Sequence, residues 1–142
     1  MVSDELKEIY RRLLARFGPQ HWWPGETPFE VMVGAVLTQN TNWRNAEKAI
    51  AGLKEAGKLS LPAMTALSTE ELAEYIRPAG YYNIKAGRLQ NLFTMIAENW
   101  DNDVDYLLQQ PAPVLREQLL SVKGIGPETA DSIVLYAAGQ PI

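Results

Sequence analysis

The stretch from Pro113 to Gly139, PVLREQLLSVKGIGPETADSIVLYAAG, constrains the fold of this chain more than any other. Val114, Leu115, Leu119 and Leu120, with Gln118 among them, follow helical spacing, and Val122-Lys123-Gly124-Ile125-Gly126 then interrupts it. Gly124 and Gly126 can take positive φ or admit another backbone closely, and Pro127 suits a first helical position, where its missing N–H is not wanted. Ile133, Val134, Tyr136 and Ala137 give the second helix a buried face, and Gly139 followed by Pro141 ends it. The pattern predicts helix, tight hairpin, helix.

Such a turn points several backbone N–H groups outward at the start of a helix, and those groups with the helix dipole attract an anion, a phosphate diester being the natural one. Glu128, at the second helical position, suits the same dipole as a stabilising charge. Taken alone, a Gly-Ile-Gly run is more often an ordinary interhelical turn.

With 142 residues, 46% hydrophobic and 21% charged, the chain has enough material for one or at most two compact units. No apolar run approaches the roughly 18 residues of a membrane span. Residues 1–18 alternate charge with aliphatics, unlike a signal peptide, so a cytoplasmic location is expected. The absence of Cys excludes disulfides, thiolate nucleophiles and an iron–sulfur cluster built from this chain, and a single His argues against a His-based metal site. A net charge of −4 argues against coating nucleic acid by charge alone. Distribution still allows a local basic groove: Arg77, Lys85, Arg88, Arg116 and Lys123 could line one side, with acidic residues clustered at Glu70, Glu71 and Glu74 and at Asp101, Asp103 and Asp105.

Before the hairpin the chain reads as a series of capped helices. Ser3-Asp4-Glu5 opens one whose stripe is Leu6, Ile9, Tyr10, Leu13, Leu14 and Phe17, stopped by Gly18-Pro19. The loop His21-Trp22-Trp23-Pro24-Gly25 holds two tryptophans that serve either as core plugs, the commoner use, or as a stacking platform. Thr27-Pro28-Phe29-Glu30 is a capping box opening an apolar helix through Leu37, buried nearly all round, which ends in the polar run Thr38-Gln39-Asn40-Thr41-Asn42. Asn42 or Thr41 caps the next helix, with Trp43, Ala46, Ala49, Ile50 and Leu53 inward. A short segment at 62–67 precedes a second capping box, Ser68-Thr69-Glu70-Glu71, whose helix breaks at Arg77-Pro78. After the Gly80-Tyr81-Tyr82 loop, Asn83 is the expected cap of a helix carrying Ala86, Leu89, Leu92, Phe93 and Ile96, and a short helix at 106–108 leads to the hairpin. No alternating strand pattern occurs, so the fold class is all-α.

Three stretches in order, TPFEVMVGAVLTQNTNW, RPAGYYNIKAGRLQNL and LLSVKGIGPETADSIVLYA, together with HWWPG, resemble the endonuclease III superfamily of helix-hairpin-helix DNA glycosylases, and most of all its 3-methyladenine branch. The resemblance implies a six-helix barrel domain at 19–142, with the helix-hairpin-helix at 113–139, preceded by an N-terminal helix at 1–18. It also implies an enzyme that flips a damaged base from double-stranded DNA and hydrolyses its N-glycosidic bond. On this likeness the N–H groups of the turn around Lys123, Gly124, Ile125 and Gly126 hold a backbone phosphate, and the carbonyls of Leu120, Val122 and Ile125 coordinate a sodium or potassium ion. Gln39 corresponds to the glutamine that enters the gap left by the flipped base, and Tyr81 to the wedge between bases. Trp22, Trp23 and Trp43 match an aromatic pocket suited to an electron-deficient methylated purine.

Two departures qualify the likeness. Bifunctional members carry a nucleophilic lysine where this chain has Glu128, so Schiff-base lyase chemistry is not expected, and Lys123 reads as a phosphate contact. The family's catalytic aspartate follows the second hairpin helix, in a segment starting at about residues 139–142. On that reading the chain is the six-helix unit without the family's C-terminal helices, binding DNA without cleaving it, and Asp131 is structural or solvent-facing. The stripe of the N-terminal helix, which in the family packs on those helices, would then favour self-association. A non-catalytic DNA-binding module and, further off, a helical interaction domain are the competing functions.

Overall fold

In the computed structural model of this protein, residues 27–139 are described, and among them every regular element is helical. The elements are α1 (Pro28–Leu37), α2 (Trp43–Glu55), α3 (Leu61–Thr65), α4 (Thr69–Tyr75), a 3-10 turn (Arg77–Ala79), α5 (Tyr82–Trp100), α6 (Val104–Leu108), α7 (Ala112–Leu120), α8 (Pro127–Ser132) and a π-helical continuation of α8 (Ile133–Ala137). The expected N-terminal helix and the Trp22-Trp23 loop lie outside the described residues.

Helix α1 is the axis of the fold. Every residue from Phe29 to Leu37 is buried, and the helix packs against α2, α5, α8 and the π segment. A helix apolar all round has to be wrapped on every side, and that requirement collects the later helices about it. Helix α2, by contrast, buries one stripe, Trp43, Ala46, Ala49, Ile50 and Leu53. The Trp43 indole lies over Gly34, where an added Cβ would come within 3.1 Å of the ring, so the glycine lets α1 and α2 approach.

Local chemistry sets most of the helix ends. Thr27 Oγ1 accepts from the Glu30 N–H at 3.1 Å, while the Glu30 carboxylate, buried, reaches Lys54 Nζ at 2.8 Å. The forward half of the expected capping box therefore forms, and the glutamate ties α1 to α2. Asn42 caps α2 through the Asn45 N–H. At α4 the box between Ser68 and Glu71 is complete in both directions, and the bond from the Ser68 backbone N–H holds the Glu71 carboxyl below its ordinary range. Gly139, at φ 66°, ends the last helix as expected.

The start of α5 departs from the sequence reading. Tyr81, not Asn83, is the residue at the N-terminal boundary, in the left-handed region at φ 46° and ψ 39°, and its carbonyl accepts the Lys85 N–H at 2.9 Å. Gly80, at φ 75°, turns the chain first, so the helix begins before an Asn83 side chain could cap it.

Candidate nucleic-acid interface

The hairpin turn occupies residues 121–126, between α7 and α8. Ser121 and Val122 close the end of α7 by donating their N–H groups to Gln118 and Leu119 carbonyls at 3.2 and 3.1 Å. Ile125 N–H donates to the Val122 carbonyl at 3.1 Å, and the side chains of Val122 and Ile125 are buried. These two aliphatic anchors hold the turn to the core, while Lys123, Gly126, Pro127 and Glu128 remain exposed.

The two glycines play different parts. Gly124 takes φ 99°, and an added Cβ would overlap Arg88 Cγ and stand 2.8 Å from Cδ. It is glycine because the backbone demands it and because Arg88 lies against it. Gly126 has an ordinary extended backbone, φ −89° and ψ −179°, and an added Cβ would meet no protein atom within 4 Å. Among the described residues nothing excludes a side chain at Gly126.

Behind the turn stands a polar cluster. Gln39, 7% exposed, donates from Nε2 to the Gly124 carbonyl and to Thr129 Oγ1, each at 3.0 Å, and its Oε1 accepts from an Arg88 guanidinium N–H at 2.7 Å. Asn91, one turn further along α5, donates to the Lys123 carbonyl at 3.1 Å. The Gln39 amide expected to enter a DNA gap is thus engaged inside the protein, joining α1, α5 and the hairpin.

Other expected site residues are distributed as follows. Tyr81 is 63% exposed at the head of α5, and the Lys85 ammonium lies 6.0 Å from its ring centre. Trp43 is 5% exposed and lies over Gly34 between α1 and α2. Trp22 and Trp23 fall outside the described residues. Glu128 is exposed at the second position of α8, as its sequence position implied.

The basic groove does not survive intact. Lys85 is buried, 1% exposed, and donates to the carbonyls of Leu37 and Ala79, both at 2.8 Å. Arg116 Nε donates to Asp131 Oδ1 at 2.7 Å, and Asp131, 6% exposed, bridges α8 to α7 and does not face solvent. Arg77 is exposed beside Glu74 and over the Tyr82 ring. Lys123 and the half-buried Arg88 are the cations left beside the turn among the five. Asn91 and Thr129 are the participants that the sequence did not single out, while Arg88 stood there only as one base of a possible groove and not as a partner of Gln39. The one available signal was the helical spacing that puts Arg88 and Asn91 on a shared face of α5.

Fold and turn together define a helix-hairpin-helix protein. The chain belongs to the HhH-GPD superfamily of base excision DNA repair proteins, whose profile matches residues 33–133. A Methanocaldococcus jannaschii protein provisionally named a DNA repair glycosylase is 48% identical over 135 residues, covering 94% of this chain and 61% of that protein. Endonuclease III of Thermotoga maritima is 29% identical, over 96% of this chain and 59% of its own length. Among solved structures, the H. pylori 3-methyladenine DNA glycosylase bound to 1,N6-ethenoadenine superposes with a TM-score of 0.77 at 36% identity, covering 98% of this chain and 66% of that one. A trapped endonuclease III–DNA covalent intermediate gives 0.69 at 26% identity, over 94% and 57%. The chain therefore spans about three-fifths of the length of the two sequence relatives. Among the described residues no helix is long and apolar enough to cross a membrane.

Proposed function

We propose that this chain is the DNA-gripping and base-recognising part of a base-excision glycosylase, acting on double-stranded DNA that carries an alkylated purine such as 3-methyladenine. The contrast between the two hairpin glycines carries the reading. Gly124 is required by the protein itself, whereas Gly126 is bare and open on the exposed side of the turn, where a phosphate can meet backbone N–H groups at the start of α8. Lys123 adds a point charge beside that phosphate. Tyr81, exposed at the head of α5, acts as the wedge that replaces lost stacking when a base leaves the helix. Trp22 and Trp23 supply the stacking faces for the alkylated base.

A sodium or potassium ion would be held by the carbonyls of Leu120, Val122 and Ile125, and the donor set suits it. The Val122 oxygen accepts one N–H within the turn and keeps a second lone pair. Such an ion would add positive charge behind the phosphate. Glu128 cannot serve as an amine nucleophile, so the chemistry proposed is hydrolytic and not of the lyase kind.

Gly126→Ala tests the grip without touching the fold, since its Cβ has free space and its φ is ordinary. Titrated against a duplex, the variant should keep its melting temperature and lose affinity by about tenfold, as expected when one charge-assisted phosphate contact is displaced. Equal affinity for wild type and variant would remove the hairpin from the DNA site. Tighter binding to a duplex containing 1,N6-ethenoadenine than to its unmodified counterpart supports base recognition. Equal binding to both would favour a non-catalytic grip.

A further inference from the structure

Arg88 and Gln39 form one unit with the hairpin, and their chemistry fixes its orientation. A guanidinium only donates, so Arg88 obliges Gln39 to present Oε1 toward α5. The Nε2 hydrogens must then face the hairpin, where they meet the Gly124 carbonyl and Thr129 Oγ1. With its carbonyl held inward by the amide, the Gly124 peptide is fixed in its left-handed setting, and the stem of Arg88 fills the space beneath it. One side chain thus supports the turn twice, by contact and through the glutamine. The guanidinium meets the Gln39 amide oxygen through Nη1 at 2.7 Å.

We propose that Arg88, acting through Gln39, is the positioning residue that presets the hairpin for phosphate. This refinement rests on the DNA-binding reading above. A positioning role and a direct phosphate contact make opposite demands on salt dependence. A cation that neutralises a phosphate contributes about −0.9 to the slope of log K against log salt. A cation hydrogen-bonded to the neutral Gln39 amide and not to a phosphate keeps its charge but contributes only a fraction of that slope. Loss of a charge-assisted support should still weaken binding, because the turn must then be ordered when DNA arrives.

The test uses the 142-residue chain, a labelled duplex and a salt titration. Arg88→Met and Gln39→Leu should each lower affinity by about tenfold with the salt slope changed by well under one phosphate contact, and the double variant should lose little more than either single one. Arg88→Lys, able to donate to Oε1, should recover part of the loss. Hydrogen exchange in the free protein gives a second readout, independent of DNA. The Ile125 N–H, bonded to the Val122 carbonyl, should exchange faster in Arg88→Met and in Gln39→Leu while core amides of α1 stay protected. A slope reduced by about one phosphate in Arg88→Met, with normal binding by Gln39→Leu, would make Arg88 a phosphate contact and overturn the proposal. So would unchanged Ile125 exchange, even if DNA binding held. A wild-type chain that binds no duplex defeats the functional reading and this refinement of it; the exchange data then show whether the support itself exists.

Discussion

Helix α5 carries two cations one turn apart, Lys85 and Arg88, and each stands beneath a left-handed turn, but the two turns are built differently. Arg88 is half-buried and backs Gly124, where φ 99° costs a glycine almost nothing. Lys85 is buried and ties Leu37 to Ala79, holding the chain just before Tyr81, where a tyrosine accepts φ 46° at a cost of about 1–2 kcal/mol. The hairpin turn is made by a glycine, which carries no ring. The Tyr81 turn displays a ring, 63% exposed, so a side chain was kept despite the strain. Strain retained under an exposed aromatic fits the wedge role proposed for Tyr81.

Lys85→Met gives the largest effect and tests the buried half of this comparison. The substitution keeps most of the volume but removes two charge-assisted donors, leaving the Leu37 and Ala79 carbonyls without them in the interior. A loss of about 3 kcal/mol in chemical denaturation is expected. A loss well under ~1 kcal/mol would show that the turn does not depend on the ammonium.

Gly124→Ala comes next, at about 2 kcal/mol, combining an unfavourable φ with overlap of Arg88. The two contributions can be separated. In an Arg88→Ala background the overlap is gone, and the cost of the added methyl should fall to about 1 kcal/mol, the backbone share alone. An unchanged cost in that background would mean that Arg88 does not press on the turn, and the likeness between the two supports would fail on the hairpin side.

These two experiments also mark where the sequence was sufficient and where it was not. The ends of α1, α2 and α4 were legible because Thr27, Asn42 and Ser68 meet partners only three residues away. The hairpin was legible for the same reason, Gly124 and Pro127 being local requirements of one turn. Lys85 and Arg116 looked like surface cations, since nothing nearby in sequence announces carbonyls at Leu37 or a carboxylate at Asp131. Gln39 stood out as a polar residue after an apolar helix, yet its partners are 49 to 90 residues away. The start of α5 was misplaced because Asn83 is the better cap by type, while the backbone had already turned at Gly80 and Tyr81. Local capping chemistry could be read from order alone; the engagement of buried cations required the packing of α5 against α1 and the hairpin.

The smallest expected effect, and the one of opposite sign, is at Tyr81. Asparagine tolerates the left-handed region better than tyrosine, so Tyr81→Asn should relieve about 1 kcal/mol of backbone strain. The variant also loses the contact between the ring and the Lys85 ammonium, centred 6.0 Å away, which at an exposed ring is worth about 0.5 kcal/mol. The difference is a gain of roughly 0.5 kcal/mol, seen as a slightly raised denaturation midpoint. DNA should respond the other way. Without a ring to fill a vacated stack, the preference for a lesion duplex over an unmodified one should shrink, while affinity for unmodified duplex, carried by the hairpin, stays near wild type. A variant that is less stable by more than ~1 kcal/mol would make Tyr81 an anchor of the fold. A more stable variant with undiminished lesion preference would leave its strain without a function. Stability gained together with discrimination lost is the combination that identifies Tyr81 as a side chain held out at the fold's expense.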